Sequence, residues 1–363
     1  MERSSPTHSA FRMHERDGGR ARWTQGELER LADSLTRRRV LTGAGVVALF
    51  AALPGTSHAQ SPAASPAAGW TFVDDKGATI QLDTPPARIV ADLIPAAALW
   101  DFGIRPVGVF GWDVLADGSF DAAGGRIDRD AVDLAGDETT PFDPERAAAL
   151  DPDLIVTLTD AASDADTYWS IDAKVVSQAR HIAPLLAIDS SVRLDLVVSR
   201  FAELALALGA EADSDPFVAA RAEAEAAATA FAEETAAKPG LSAVFVYAAA
   251  DQLYVANPKV ASDLLYFREL GLTMPDLDVA DTEYWETLSW EQALKYPEDM
   301  VFVSSRSALG IEELKAQPVF AQHPAAKAGQ VYPWNGEEPL SYQGIASTLG
   351  STREAVEASS PTP

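Results

Sequence analysis

The sequence FDPERAAALDPDLIV, residues 142–156, is repeated in outline by SWEQALKYPEDMVF, residues 289–302. The two stretches align without a gap when Glu145 is placed against Glu291, and each has an aspartate eight residues further on. Each begins in a predicted short helix and ends in an apolar run typical of a buried strand. Helix capping alone explains an acid in a first helical turn, but it does not explain the matched pair. We therefore predict two similar lobes, each presenting one carboxylate at an equivalent place.

Short apolar segments alternate with helical patterns along residues 88–208 and again after residue 243. This alternation is typical of parallel sheets with helices on both faces. Between the two regions, residues 215–238 form an uninterrupted helical pattern rich in Ala and Glu, which stops at Pro239-Gly240. The predicted fold class is α/β, with two Rossmann-like lobes joined by a single long α-helix of about 30 Å.

The same patterns give local assignments. Residues 70–82 form a predicted β-hairpin, residues 167–179 a helix followed by a strand over residues 181–188, and residues 290–296 a short helix. Tyr247 and Tyr254 fall on a predicted strand and hairpin, so we expect both to be structural.

The first 59 residues have the pattern of an export signal. Arg37 and Arg38 lie in the twin-arginine sequence TRRRVL, an apolar run covers residues 40–53, and SHA at residues 57–59 supplies small residues for cleavage. An uncleaved anchor is the alternative, although the run is short and glycine-containing for a membrane span. We expect export in the folded state through the twin-arginine route.

The predicted boundaries follow from these segments. Residues 1–59 are the signal and residues 60–70 a linker rich in Pro, Ala and Ser. The first lobe covers residues 71–212, the connecting helix residues 213–239, and the second lobe residues 240–358.

The chain is strongly acidic and contains no cysteine. It has 28 basic and 54 acidic residues, of which the signal takes 9 and 6, so residues 60–363 have 19 and 48, a net charge of −29. Such a surface repels phosphate backbones, which argues against nucleic-acid binding. Without cysteine, neither a disulfide nor a lipid-modified cysteine anchor can form. We expect a monomeric, extracytoplasmic protein.

Signatures of catalysis and metal binding are weak. The sequence has no Gly-x-Ser-x-Gly motif and no phosphate-binding loop. His181 and His323 are the only histidines after the signal, too few for a zinc site built from nitrogen and sulfur ligands. Asp160, Asp164 and Asp166 have a calcium-like spacing, but the glycine and distal glutamate of such a loop are missing. We therefore predict no enzymatic activity, no metal site and no cofactor.

Three segments resemble the ABC-transporter substrate-binding proteins that take up iron-siderophores and cobalamin. They are RIV at residues 88–90 with the segment 99–109, PERAAALDPDLI at residues 144–155, and FAQHPAAKAGQVY at residues 320–332. The resemblance implies two lobes whose relative motion the long helix limits, and an ABC-transporter permease as partner. It also implies that Glu145 and Glu291 contact basic residues of that permease.

A ligand is expected beyond the carboxyl ends of the strands, where open parallel sheets bind small molecules. The loops that begin there are rich in aromatic side chains, which suit an organic chelate, and they include an arginine that can donate to its oxygens. For the aromatic residues a purely structural role in the core is the alternative. The candidate ligand-binding residues are Trp112, Tyr168, Trp169, Tyr284, Trp285, Arg306 and Trp334.

Three functional hypotheses remain. The main one is a secreted protein that delivers a ferric siderophore to an ABC importer. A haem or cobalamin carrier of the same fold is the second, because aromatic stacking serves those ligands equally well. An extracytoplasmic enzyme on a two-lobed scaffold is the third. A buried polar cluster with perturbed acids would favour the enzyme, whereas an aromatic basket with one or two arginines would favour a carrier.

Overall fold

The computed structural model describes residues 69–160 and 166–362, which belong to one compact unit. The predicted signal, nearly all of the predicted linker and Asp164 lie outside these residues. The strands are β1 (Trp70–Val73), β2 (Thr79–Leu82), β3 (Ile89–Asp92), β4 (Gly108–Phe110), β5 (Asp133–Leu134), β6 (Leu154–Thr159), β7 (Leu185–Asp189), β8 (Ala243–Ala248), β9 (Gln252–Ala256), β10 (Trp285–Ser289), β11 (Met300–Ser304) and β12 (Val331–Trp334).

Helices alternate with these strands. They are α1 (Leu93–Asp101), α2 (Pro144–Ala149), α3 (Val176–Ile182), α4 (Leu194–Ala207), α5 (Asp215–Ala237), α6 (Ser262–Glu269), α7 (Ile311–Ala316), α8 (Pro324–Ala328) and α9 (Tyr342–Ala358). Single 3-10 turns cover Ala122–Gly124, Arg129–Ala131, Trp290–Gln292 and Phe320–Gln322.

Two five-stranded sheets share one strand order. The first is β5-β4-β3-β6-β7 and is entirely parallel, whereas the second is β10-β9-β8-β11-β12, with β9 antiparallel to both its neighbours. Strand β3 therefore corresponds to β8, and β6 to β11. We call the first sheet with α1 to α4 the first lobe and the second sheet with α6 to α8 the second lobe. The predicted α/β architecture and the β1-β2 hairpin are confirmed.

The central strands are buried on both faces. Every residue of β6, and every residue of β3, is buried. This pattern explains why these segments are continuous apolar runs, without the alternation of a half-exposed strand. One apolar core extends from the first lobe, through α4 and α5, into the inner face of the second sheet, and each lobe has a smaller outer core.

The long helix α5 contacts both lobes. Near its start Phe217 lies 5.6 Å from the ring of Phe102, at the end of α1, and 5.7 Å from Tyr342. Near its end the fully buried Phe231 stacks at 5.5 Å on Phe267 of α6. Phe217 and Phe231 are 14 positions apart in sequence, which corresponds to about 21 Å at the helical rise. The C-terminal helix α9 packs along α5 and closes the same core.

Two local predictions are wrong. Residues 167–175 are not helical, and α3 extends through His181, which we had placed on a strand. The cause lies at Ser170, whose φ of 59° is incompatible with a right-handed helix. Residues 290–296 contain a single 3-10 turn in place of the predicted helix. Pro297 disfavours the helical conformation for the residue before it, which leaves too few residues for a stable α-helix.

Candidate functional site

Arg306 joins the two lobes at the carboxyl ends of their strands. It lies in the turn after β11, and its Nη2 contacts Asp113 Oδ1 and, at 2.5 Å, Asp121 Oδ2. Both aspartates follow β4 in the first lobe. Its Nε lies 3.4 Å from Oε1 of Glu337, which follows β12. The loops predicted to line the cleft therefore meet at this guanidinium, and among the described residues its Nη1 makes no hydrogen bond.

Burial sets the electrostatics of this cluster. The side chain of Asp113 is 2% exposed, and burial raises its pKa although Arg306 opposes the shift. Burial also raises the pKa of Glu337 to about 7. For Arg306, burial acts to lower the pKa, but Glu337 and Asp113 outweigh it and hold the pKa above its ordinary value. The guanidinium therefore stays positively charged throughout the physiological pH range. Three carboxyl groups surround this single positive charge.

A further buried acid, Asp92, ends strand β3. Its Oδ1 accepts the N–H of Ile94 and so caps α1, and a hydrogen bond from the Ser170 hydroxyl acts to lower its pKa. Burial raises its pKa well above the ordinary value, and the charge of Asp113 adds to the shift. Asp92, Asp113 and Glu337 were not predicted from the sequence, because acids in loops are common on solvated surfaces.

Trp285 lies at the centre of an aromatic cluster in the second lobe. Its ring is 4.9 Å from Tyr284 and 6.3 Å from each of Tyr247, Tyr254 and Trp334. All of these contacts are T-shaped, the arrangement that ring quadrupoles favour. Tyr247 and Tyr254, which we expect to be structural, are half-buried beside this candidate residue.

Tyr284 connects this aromatic cluster with the charged one. Its side chain is 41% exposed, and Asp263, Glu337 and Arg306 act electrostatically on its phenol. Trp334 is different, because it is 5% exposed and its Nε1 donates to Asp263 Oδ2 at 2.7 Å. Its indole belongs to the wall behind the site, against Phe245 at 5.4 Å.

The first-lobe aromatic candidates lie on two loops. Trp112 is 52% exposed and directly precedes Asp113. Trp169 packs against the core, and its neighbour Ser170 approaches Asp92 from the second loop. Tyr168 lies further out, where its hydroxyl accepts from Arg180 at 2.9 Å. Gly111, which precedes Trp112, and Ser170, which follows Trp169, therefore both lie next to Asp92. The ring of Tyr168 instead contacts the side chains of Lys76 and Arg180.

Glu145 and Glu291 are exposed at matched positions. Capping of the first helix is provided by Asp143, whose Oδ1 accepts from the N–H of Glu145 at 2.9 Å. Capping of the second turn is provided by Ser289 with Gln292. A hydrogen bond from the Ser289 hydroxyl holds the pKa of Glu291 below its ordinary value. Because other side chains cap both segments, capping by these carboxylates does not explain the match. Within the described part of the chain neither glutamate forms an ion pair.

The family model described as "Periplasmic binding protein" matches residues 110–337, more than half of the chain. The chain belongs to this family. It is 33% identical to DesE, a ferric-siderophore receptor protein from Streptomyces coelicolor. That alignment covers 81% of this chain and 100% of DesE, with a TM-score of 0.74.

Two further relatives extend the comparison. The Fe(3+)-citrate-binding protein YfmC of Bacillus subtilis is 27% identical over 287 residues, which are 78% of this chain and 84% of YfmC. SirA of Staphylococcus aureus, solved with staphyloferrin B, matches with a TM-score of 0.59 at 20% identity. The match covers 79% of this chain and 98% of SirA, and it supports the fold alone.

The periplasmic binding protein has neither a described spanning helix nor a described metal cluster. No helix within residues 69–160 and 166–362 is long and apolar enough to cross a membrane. In the same ranges no three His, Cys, Asp or Glu side chains are placed to hold a metal ion. Asp166, one of the calcium-like acids, pairs with Arg180 at 2.7 Å. His323 is buried, with Nε2 2.8 Å from the carbonyl oxygen of Tyr296.

Proposed function

We propose that this periplasmic binding protein receives a ferric siderophore and delivers it to an ABC importer. The observation that carries the proposal is the position of Arg306, which contacts the first lobe from the second beside the aromatic cluster around Trp285. A cation beside flat rings suits an iron chelate, whose oxygens accept hydrogen bonds and whose organic arms are apolar. The similarity to the ferric-siderophore receptor DesE, which extends over the whole length of DesE, supports the same function.

The perturbed acids of the cleft do not point to an enzyme. Asp92, Asp113 and Glu337 have raised pKa values, which is one mark of a catalytic site. Catalysis also needs a reactive group paired with a base. His181 is exposed on α3 and His323 is bonded to backbone, so neither described histidine is placed beside these acids. The cleft thus contains both the perturbed acids that would favour an enzyme and the aromatic cluster with an arginine that would favour a carrier. The family relation favours the carrier.

Delivery requires docking, and we propose Glu145 and Glu291 as the docking pair. Each is exposed, each lies in the first turn of a capped helical segment, and the two belong to different lobes. A solvated carboxylate costs little to maintain and is free to pair with a permease arginine.

Uptake by cells tests this function. Cells that lack the protein should fail to accumulate iron-55 from at least one ferric siderophore, and the intact gene should restore accumulation. Unchanged uptake from every hydroxamate, catecholate and carboxylate chelate tested would contradict the proposal. Uptake of haem or cobalamin alone would favour the other carriers of this fold.

A further inference from the structure

Two kinds of contact join the lobes. The first is apolar: the ring of Phe102, at the end of α1, lies 5.3 Å from Tyr342 of α9, within the core that continues into the second lobe. The second is ionic, since Arg306 of the second lobe contacts Asp113 and Asp121 of the first. Opening the apolar core exposes carbon to water, whereas separated charges regain their hydration. The lobes therefore separate more readily at Arg306 than at the apolar core.

The first-lobe side of the ionic contact is one loop, residues 113–121. The N–H of Asp121 donates to the carbonyl oxygen of Asp113 at 3.1 Å, which brings the two acidic residues side by side. The loop is fixed to the first lobe, because Val114 is fully buried and its carbonyl oxygen accepts the N–H of Glu138 at 2.6 Å. We therefore expect this loop to move together with the first lobe.

The second-lobe side is also fixed. Arg306 lies in the turn after β11, between two serines that are bonded to neighbouring strands. The N–H of Ser305 donates to the carbonyl oxygen of Trp334 on β12 at 2.8 Å. The hydroxyl of Ser307 accepts the N–H of Ala248 on β8 at 3.0 Å. Movement of one lobe away from the other must therefore break the ion pairs of Arg306.

The charges favour contact between the lobes. Burial raises the pKa of Asp113, the charge of Arg306 opposes this shift, and the charge of Asp121 adds to it. Without the guanidinium, the two neighbouring carboxylates would repel each other. The side chain of Arg306 is 37% exposed, so water reaches the guanidinium and can hydrate it when the pairs break. The ion pairs are therefore stabilising and also replaceable.

We propose that Arg306 is a latch between the lobes, and that breaking its pairs with Asp113 and Asp121 lets the lobes rotate apart about α5. Hinge motion about a connecting element is a common way for two-lobed proteins to open. Apolar contacts keep both lobes attached to α5 during this motion. The latch depends only on groups of the protein itself, so it does not rest on the proposed function.

Spin labels can measure the distance between the lobes. The chain contains no cysteine, so two introduced cysteines are labelled without background. Lys174 precedes α3 and Glu312 lies in the first turn of α7, and these helices follow the equivalent strands β6 and β11. Their side chains are 78% and 85% exposed, which suits labelling. The double variant Lys174→Cys, Glu312→Cys therefore reports the separation of the lobes at the carboxyl ends of their strands.

Variants of the latch are compared in this labelled protein. Arg306→Met removes the charge, and Asp121→Asn removes one partner but keeps Oδ1, which accepts the N–H of Ala123 at 2.9 Å. Arg126→Met is the control, because Arg126 pairs with Asp101 within the first lobe at 2.9 Å. Double electron–electron resonance is recorded without added chelate. We expect the mean distance to grow by more than about 2 Å in Arg306→Met, to be intermediate in Asp121→Asn and to stay unchanged in the control.

The outcomes decide the assignment. A parent-like distance in Arg306→Met, with a native circular dichroism spectrum, would overturn the latch. If Arg306→Met does not fold, Asp121→Asn decides, and a parent-like distance in that variant would overturn it. An equal shift in Arg126→Met would assign the change to a general loss of positive charge and overturn it as well. Failure of every ferric chelate to bind would overturn the proposed function and leave the latch intact.

Discussion

Asp153 and Asp299 hold equivalent places in the two lobes. Asp153 Oδ2 accepts the N–H groups of Ala87 and Arg88, at 2.9 and 2.8 Å, just before β3. Asp299 Oδ2 accepts the N–H and the hydroxyl of Ser242, at 2.9 and 3.1 Å, just before β8. These are the aspartates that follow Glu145 and Glu291 by eight residues, so the second acid of each repeat fixes the start of the central strand.

Replacing either aspartate should destabilise the protein. Asp153→Ala and Asp299→Ala each leave at least one backbone N–H without its carboxylate acceptor, and each should lower the free energy of unfolding by about 1–3 kcal/mol. Urea denaturation followed by circular dichroism measures the change. Asp213→Ala, at an exposed position before α5, is the control and should stay within about 0.5 kcal/mol of the parent. Parent-like stability of both test variants would show that these bonds have no net effect.

The buried acids should make stability fall as pH rises. Burial raises the pKa of Asp263 from 3.8 to about 6 and that of Glu337 from 4.5 to about 7. The folded state therefore binds these protons more tightly than the unfolded chain, and the stability they contribute is complete below pH 4 and lost by about pH 7. Relative to Asp263→Asn, the parent should lose up to about 3 kcal/mol across this range.

Urea unfolding at several pH values between 4 and 8 provides the measurement. Both Asp263→Asn and Glu337→Gln should flatten the dependence, and the exposed Glu225→Gln sets the background. A parallel pH dependence of parent and Asp263→Asn would exclude a raised pKa at Asp263.

Docking and ligand binding should separate in the double variant Glu145→Ala, Glu291→Ala. Both side chains are exposed and neither contacts the Arg306 cluster, so affinity for the chelate in solution should remain within about twofold. Uptake by cells should fall at least tenfold, because the permease loses one contact on each lobe. Glu225→Ala with Glu312→Ala removes two other exposed acids and should retain uptake. Weakened binding of the chelate by the double variant would place these residues in the ligand site.

Export should depend on Arg37 and Arg38, which lie outside the described residues. Replacing both with lysine retains the charge but removes the twin-arginine pattern, and precursor should accumulate in the cytoplasm. Cell fractionation with an antibody against the protein measures the distribution. Normal export of the variant would require another route.

The sequence predicted the fold well because its strongest signals are periodic. Helix α5 was expected at residues 215–238 and spans Asp215–Ala237, since a long Ala-rich pattern between Pro-containing ends has few alternatives. The predictions failed where one backbone angle decides the outcome. Ser170 adopts a positive φ, and no periodicity of the surrounding residues reveals it.

The site was only partly predictable. Arg306 could be placed near the cleft because it follows the carboxyl end of β11, where open parallel sheets bind ligands. Trp285 was chosen as a residue in or near a loop, and it opens strand β10. The burial of Asp92 and Asp113, and the partial burial of Glu337, could not be predicted, because burial in a cleft depends on how the two lobes meet. The burial of Trp334 could not be predicted either. Its hydrogen bond to Asp263 holds the indole in the wall behind the site.

Titration of the purified protein with ferric siderophores tests the central claim most directly. Bound iron quenches nearby indoles. Trp112 precedes Asp113 of the Arg306 cluster, and Trp285 lies 4.9 Å from Tyr284, so tryptophan emission should fall saturably with one chelate per protein. Arg306→Met should weaken binding by about 1.5–3 kcal/mol, the range for hydrogen bonds from charged groups. Unchanged emission and no heat of binding with hydroxamate, catecholate and carboxylate chelates at millimolar concentration would contradict the account.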